Sequence, residues 1–241
     1  MNRRGYWSLW IFLCFFGLSL FAEFLSNDRP LVIRYQGHWY FPIWHDYAET
    51  EFGGDFATAA DYRDPYILGR LRAEGNFVIF PINPHSYNSI NFYINQPVPS
   101  PPTRVNYLGT DDRGRDVLAR LIYGFRLSVL FGLALTVVGT FLGIVAGAVQ
   151  GYFGGKTDLL LQRFIEIWSA MPELYLLIIF ASLFKPSMLL LLILLSLFGW
   201  MGLSDYVRAE FLKGRNLDYV RAARALGAGN LSIMYRHLLP N

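Results

Sequence analysis

Four stretches of the chain are almost free of polar positions, and each is long enough to consider as a membrane-crossing helix. The first covers residues 6–25, where Glu23 near its far end is the only charge and Arg3-Arg4 stand just before it. About 20 such residues span a bilayer as a helix. Ala22 lacks the small partner of a cleavage site and Phe12-Leu13 before Cys14 are not a lipobox, so residues 1–25 read as an uncleaved anchor. Residues 127–151 carry no charge and form the second span. Residues 158–184 form a third, with polar exceptions at Gln162, Arg163, Glu166 and Glu173 and a kink or entry at Pro172. After the turn Lys185-Pro186, residues 187–203 make a fourth, leucine-rich span that ends before Asp205. The pattern predicts an all-α polytopic membrane protein.

Between the first two spans the pattern changes character. Residues 26–108 are rich in Trp, Tyr, Asn, Pro and charge, and read as a water-exposed loop domain of mixed, irregular structure. Residues 31–35 and 77–80 have strand-like content, and residues 97–102 are a stiff, proline-rich connector. Residues 109–126 place Val117, Leu118, Leu121, Ile122 and Phe125 at helical spacing among Arg113, Arg115, Asp116 and Arg120. That predicts an amphipathic helix at the membrane interface. In the second span Gly139, Gly143, Gly147 and Gly151 recur every fourth residue, so they share one helix face and let a neighbouring backbone approach closely.

Composition agrees with the pattern: 54% of the 241 residues are hydrophobic and only 16% are charged, well below soluble domains. The net charge of +3 comes without a basic patch interleaved with aromatics, which argues against a nucleic-acid partner. One cysteine, Cys14, excludes an intrachain disulfide framework or a thiolate metal cluster. Basic residues set the expected orientation. Arg3 and Arg4 put the N-terminus inside, in the cytoplasm, and residues 26–108 outside. The tail from Tyr206, with Arg208, Lys213, Arg215, Arg221, Arg224 and Arg236 against Glu210 and Asp218, then falls inside as well.

Candidate chemistry is sparse. Gly155-Lys156-Thr157 lacks the first glycine of a phosphate-binding loop, because Gln150 stands there, and it comes after a membrane helix instead of a strand. It reads as a tight inside turn. His38, His45, His85 and His237 show no metal-ligand spacing, and no serine has a nucleophile context. No catalytic residue and no metal site are therefore assigned. Arg163 and Glu166, three apart on a helix, read as an ion pair. Glu173 is a candidate for a polar pathway, or the first-turn acid of a helix half.

The most specific signal is the tail Asp218-Tyr219-Val220-Arg221-Ala222-Ala223-Arg224-Ala225-Leu226-Gly227, succeeded by residues 228–236 and His237-Leu238-Leu239-Pro240-Asn241. It reads as a short helix, a glycine stop and a second helix, with slim Ala222, Ala223 and Ala225, Gly227 as left-handed cap and Asn230 able to cap the second helix. This stretch resembles the EAA loop of binding-protein-dependent ABC importers, E-A-A-x3-G-x9-I-x-L-P. Ala222, Ala223, Gly227, Leu239 and Pro240 match, while Arg221 and His237 replace the Glu and Ile as in the peptide-importer branch. Leu108-Gly109-Thr110-Asp111 and Gly114-Arg115-Asp116-Val117-Leu118-Ala119-Arg120 are similar to the entry segment of C-type dipeptide and oligopeptide permeases. The long segment after the first span is most similar to Yej-type permeases of microcin C and peptide uptake.

The resemblance implies the MetI-like transmembrane-domain fold of ABC importers. Residues 127–241 would be its partial permease domain, three spans plus the cytoplasmic loop, and residues 26–108 a periplasmic insert. Two further spans are expected beyond Asn241, so the fold is read as C-terminally truncated and the fragment as unable to transport alone. The resemblance further implies that residues from Arg221 to Gly227, with Leu239 and Pro240, couple to an ATPase that binds the ATP and Mg, no cofactor being held by this chain. Implied partners are a second permease subunit, two cytosolic ATP-binding subunits, a periplasmic substrate-binding protein and membrane lipid. The location would be the bacterial inner membrane. A membrane-anchored receptor or scaffold whose periplasmic domain binds a partner is the alternative.

Overall fold

The computed structural model describes residues 3–92, 94 and 96–240, and it is mostly helical. It divides into two compact units, Met1–Val129 and Leu130–Asn241.

The first unit begins with helix α1, Arg3–Leu20, which breaks at Phe21 and resumes as a single turn, α2, Ala22–Leu25. Next comes a three-stranded antiparallel sheet, built from β1 (Val32–Tyr35), β2 (His38–Tyr40) and β3 (Phe77–Ile79) in the order β2-β1-β3. Positive φ angles at Gln36 and Gly37 make the tight turn that joins β1 to β2. Alternation along β1 turns Ile33 and Tyr35 inward and Arg34 outward. Ile33 and Tyr35 meet Phe52, delivered by the 3-10 turn Glu49–Phe52, and Tyr62, Ile67 and Leu71. Ile67 and Leu71 lie four apart on α3, Pro65–Leu71, whose first turn is capped by Asp64 accepting from the amides of Tyr66 (2.8 Å) and Ile67 (3.3 Å). The strand-like segments expected at 31–35 and 77–80 are thus neighbours in one sheet.

A second, polar core joins this domain to the next helix. Asp116, fully buried, accepts from Asn83 Nδ2 (2.8 Å), Asn106 Nδ2 (2.8 Å) and the amide of Ala119 (2.7 Å). The last of these makes Asp116 the cap of α4, Val117–Phe153. The expected interfacial helix over residues 109–126 is therefore corrected: residues 109–116 are a folded loop, and α4 starts at Val117 and runs without interruption to Phe153. The reason lies in the acid, which bonds the domain's asparagines and so stops the helix there. Asp111 organises that loop. Although burial works against it, amide and guanidinium bonds from Arg115 and the amide of Arg113 hold its carboxyl well below the usual carboxylate range. The proline-rich connector is pinned as well, the buried Ser100 exchanging bonds with Thr110.

His85 lies in the same polar core, with Nε2 3.2 Å from the carbonyl of Val105. Burial, then the positive charge of Arg63, pushes its imidazole below the ordinary 6.5, against the pull of Asp116. The folded domain consequently takes up this proton less readily than the unfolded chain. Stability from this group is complete above about 6.5 and is lost as pH falls through the lowered native value. The expected result is a lower unfolding temperature near pH 5 than near pH 7.5, monitored by tryptophan fluorescence. A flat profile over that window would contradict it.

The second unit contains the remainder of α4, then α5 (Gly155–Ser169), α6 (Glu173–Leu183), α7 (Met188–Ser196), α8 (Met201–Gly214), α9 (Asp218–Ala225) and α10 (Asn230–Ile233), which ends in a wide turn, Met234–Leu238. Among the described residues, Val117–Phe153 and Met188–Gly214 are long and apolar enough to cross a membrane. The pair Gly155–Ser169 and Glu173–Leu183, bent by 70°, makes a third if it is one span. The bend falls at Pro172, as expected. The first expected span is divided in the structure between α1, which takes in Arg3 and Arg4 and is about 27 Å long, and the single turn α2. The last span also does not end before Asp205, because the helix continues through it to Gly214.

Candidate functional site

The tail folds into a helical hairpin with a defined stop. Asp218 in the first turn of α9 and Arg224 in the last complement the helix dipole. At the end, Gly227 takes φ +86°. The amide of Gly227 donates to Arg224 and that of Ala228 to Ala223, both 3.0 Å, which is a Schellman closure. A β-carbon at Gly227 would be strained by that φ although the space is open.

One face of the hairpin is buried and the other is bare. Val220, Ile233 and Leu238 pack with Ala148 and Tyr152 of α4 and Phe211 of α8 in one apolar cluster. Arg221, Ala222 and Gly227 are exposed, and Leu226, Leu231 and Tyr235 stand 89%, 80% and 72% open. The expectation that Asn230 caps the second helix is corrected, since its side chain makes no cap bond. Its Oδ1 accepts instead from the Tyr152 hydroxyl at 2.7 Å, while Arg224 Nη2 donates to that hydroxyl at 3.2 Å and its guanidinium covers the ring. Tyr152 thereby fastens both arms of the hairpin to the end of α4.

Two turns of α4 carry a second contact on another face. A β-carbon on Gly143 would lie 2.9 Å from the Trp200 carbonyl, and one on Gly151 would lie 2.5 Å from Phe211 Cβ and 2.6 Å from the Arg208 carbonyl. On Gly147 it would meet Val207 Cβ at 2.8 Å and the Ser204 carbonyl closer still. Gly139 is looser, 3.7 Å from Gly199 O. The glycine face therefore lies against α8, with Gln150 buried beside it and donating to Ser204 Oγ. Ionic ties hold the same region: Arg208 grips Asp158 through both carboxylate oxygens, and Arg215 donates to the carbonyls of Gly151 and Tyr152, the orphaned acceptors at the end of α4. Arg208, Asp158, Arg215 and Tyr152 carry no signal in the sequence, since their partners lie 50 or more positions away.

Other candidates lie outside this cluster. Arg163 and Glu166 pair at 2.6 Å on an exposed face of α5. Glu173 opens α6 directly after Pro172, where the dipole favours an acid. The cavities flanking α6 are lined by apolar side chains, among them Trp168, Leu177, Phe180 and Leu194, and the larger holds about 520 Å³. Leu239 and Pro240 come directly after the wide turn, with Leu239 39% exposed.

Residues 120–241 match the family described as binding-protein-dependent transport system inner membrane component. Over its whole length the chain is 56% identical to the inner membrane ABC transporter permease protein YejE of Escherichia coli, covering 70% of that protein. It is 49% identical to the peptidoglycan transport system permease protein YejE of Agrobacterium fabrum, covering 69% of it. Over 136 residues it is 38% identical to the oligopeptide transport system permease protein OppC of Haemophilus influenzae, covering 44% of that protein.

Proposed function

The chain belongs to the binding-protein-dependent transport system inner membrane components, with their MetI-like ABC permease fold, and on that premise we propose that it is the permease subunit of an ATP-driven peptide importer. Peptides or peptide-like compounds cross the inner membrane by alternating access between this subunit and a second permease. A periplasmic binding protein delivers the substrate and two cytosolic ATP-binding subunits, which hold ATP and Mg, drive the cycle. The N-terminus is cytoplasmic, α1 is an anchor that crosses the membrane, and residues 26–108 face the periplasm. The names of the relatives, which include oligopeptide and peptidoglycan transport, support the substrate class.

The observation that carries the coupling role is the two-faced hairpin. Val220 is wholly buried on the permease side, while Arg221, Ala222 and Gly227 remain open on the other. A coupling element needs that arrangement: a rigid tie to the membrane helices and a slim free face for an ATPase groove. Movement of α9 is transmitted through Tyr152 to α4 and through the glycine face to α8. Glu173 contributes to the pathway as a polar group at the bend between α5 and α6.

The decisive experiment places a charge in the docking face. Ala222→Asp in the assembled transporter puts a carboxylate, about 2 kcal/mol or more to desolvate, on the exposed face and into the groove contact. The expected result is normal assembly with ATP hydrolysis no longer stimulated by loaded binding protein, and uptake lost. Unchanged uptake would refute the assignment of the loop.

A further inference from the structure

The turn formed by residues 41–44 exposes two aromatic side chains, Phe41 at 38% and Trp44 at 66%. Other aromatics of this domain form its core, where Tyr35, Phe52 and Tyr62 are buried together with Tyr40 and Tyr47 packed on them. The register of the sheet fixes where the exposed turn lies. β1 leaves α2 through Ser26, which bridges Asn83, and Leu31, whose amide donates to Ile79. The far end of the hairpin is Gln36-Gly37, and β2 then returns with Tyr40 opposite Ile33. Residues 41–44 are thus carried back to the end of the sheet from which β1 set out. Arg29 ties them there, donating to the Pro42 carbonyl at 3.4 Å and bridging Asp46 at 2.7 Å.

That end of the sheet adjoins the last turn of the α1–α2 segment. The Trp44 ring meets Phe24 edge-on at 6.5 Å and Phe41 at 5.9 Å, and Phe24 meets Phe21 at 6.4 Å. Phe21 and Phe24 are 62% and 44% exposed, so the four rings form one continuous surface running off the end of the apolar helix. Beside Phe24, Glu23 is gripped by both arms of the Arg126 guanidinium at 2.9 Å. An exposed Trp at the point where an apolar run ends, with charged groups beside it, fits the headgroup layer of a bilayer, where Trp is enriched.

We propose that Phe41 and Trp44, together with Phe21 and Phe24, are a membrane-interface anchor on which the loop domain rests against the lipid headgroups. The occupant is lipid because the patch continues the surface of the apolar helix that the proposed function places across the bilayer, and an indole gains most where its ring is half immersed and its N–H stays wet. Two attachments, the helix end and the 41–44 turn, would hold the domain at a fixed tilt above the membrane.

The proposal rests on α1 crossing the membrane, and its test separates the two. The assembled transporter, with cysteine-free partners, is placed in nanodiscs of phosphatidylethanolamine and phosphatidylglycerol doped with lipids carrying a nitroxide near the headgroup and along the acyl chain. An environment-sensitive fluorophore is attached at Trp44→Cys in a Cys14→Ala background, at the native Cys14 of α1, and at His38→Cys on the far side of the hairpin. Fluorescence is expected to be lost at positions 44 and 14 and kept at 38. Quenching at 14 without quenching at 44 overturns the anchor and leaves α1 in the bilayer. No quenching at 14 overturns the premise and the anchor together. A label at 44 shielded from both lipid nitroxide and aqueous iodide is covered by another subunit, which also overturns the anchor. Phe41→Cys repeats the measurement if Trp44→Cys does not assemble.

Discussion

Gly147→Leu is expected to abolish stable assembly of the transporter, whereas Gly139→Ala is expected to leave it close to wild type. Both glycines lie on the same face of α4, but the room beside them differs. A β-carbon at 147 falls 2.8 Å from Val207 Cβ and 2.9 Å from the Arg208 amide nitrogen, and two of the three nearest atoms belong to backbone, which cannot turn aside. Forcing one extra methylene into packed helices costs about 1–3 kcal/mol, and leucine adds several carbons. Lipid offers no hydrophobic compensation for the separated helices, because association there depends on close packing. At 139 the nearest atom is 3.7 Å away, an ordinary contact. The separation of α4 from α8 would also strand Gln150, which is fully buried. Thermal unfolding of the purified complex and uptake in cells give the readout. Wild-type stability for Gly147→Leu would mean that the two helices do not pack as described.

Asp116→Ala is the second large effect, and it falls on the other unit. Three donors lose their acceptor at once: the side chains of Asn83 and Asn106 and the amide of Ala119. Each bond to a charged group contributes about 1.5–3 kcal/mol, and the donors left behind are buried. Asn83 and Asn106 also hold Ser26 and Asn91, so the loss spreads through the polar core. The domain is expected to loosen and become sensitive to protease within residues 26–116, while the helices after it stay protected. Asp116→Asn, which keeps one acceptor oxygen, should fall between the two. An unchanged digestion pattern for Asp116→Ala would show that the network contributes little to the domain's stability.

The features legible along the chain are local. The bend at Pro172 arises from a missing N–H and a ring that clashes with the preceding turn, and both belong to one residue. The left-handed stop at Gly227 needs only a residue without a β-carbon. The ion pair of Arg163 with Glu166 is set by helix pitch. Local pattern misleads where a residue's role depends on a distant partner. Asp116 reads as one polar position in an amphipathic helix, yet Asn83, 33 residues earlier, makes it a buried cap. Asn230 reads as a cap, yet Tyr152, 78 residues earlier, engages its side chain. Asp205 reads as the end of a span, but charge alone does not terminate a helix that has Arg208 paired to Asp158 one turn later.

By itself the sequence determined the membrane class, the helical character of the permease domain, the glycine stop of the tail and the presence of a small-residue face on α4, because periodicity and glycine placement act within a few residues. Only the tertiary structure decided which helix that face receives, how the hairpin is fastened to α4, and where the aromatic rings of the loop domain lie relative to the end of α1. Those outcomes depend on contacts between segments far apart in the chain, whose energies appear only once both partners are in place.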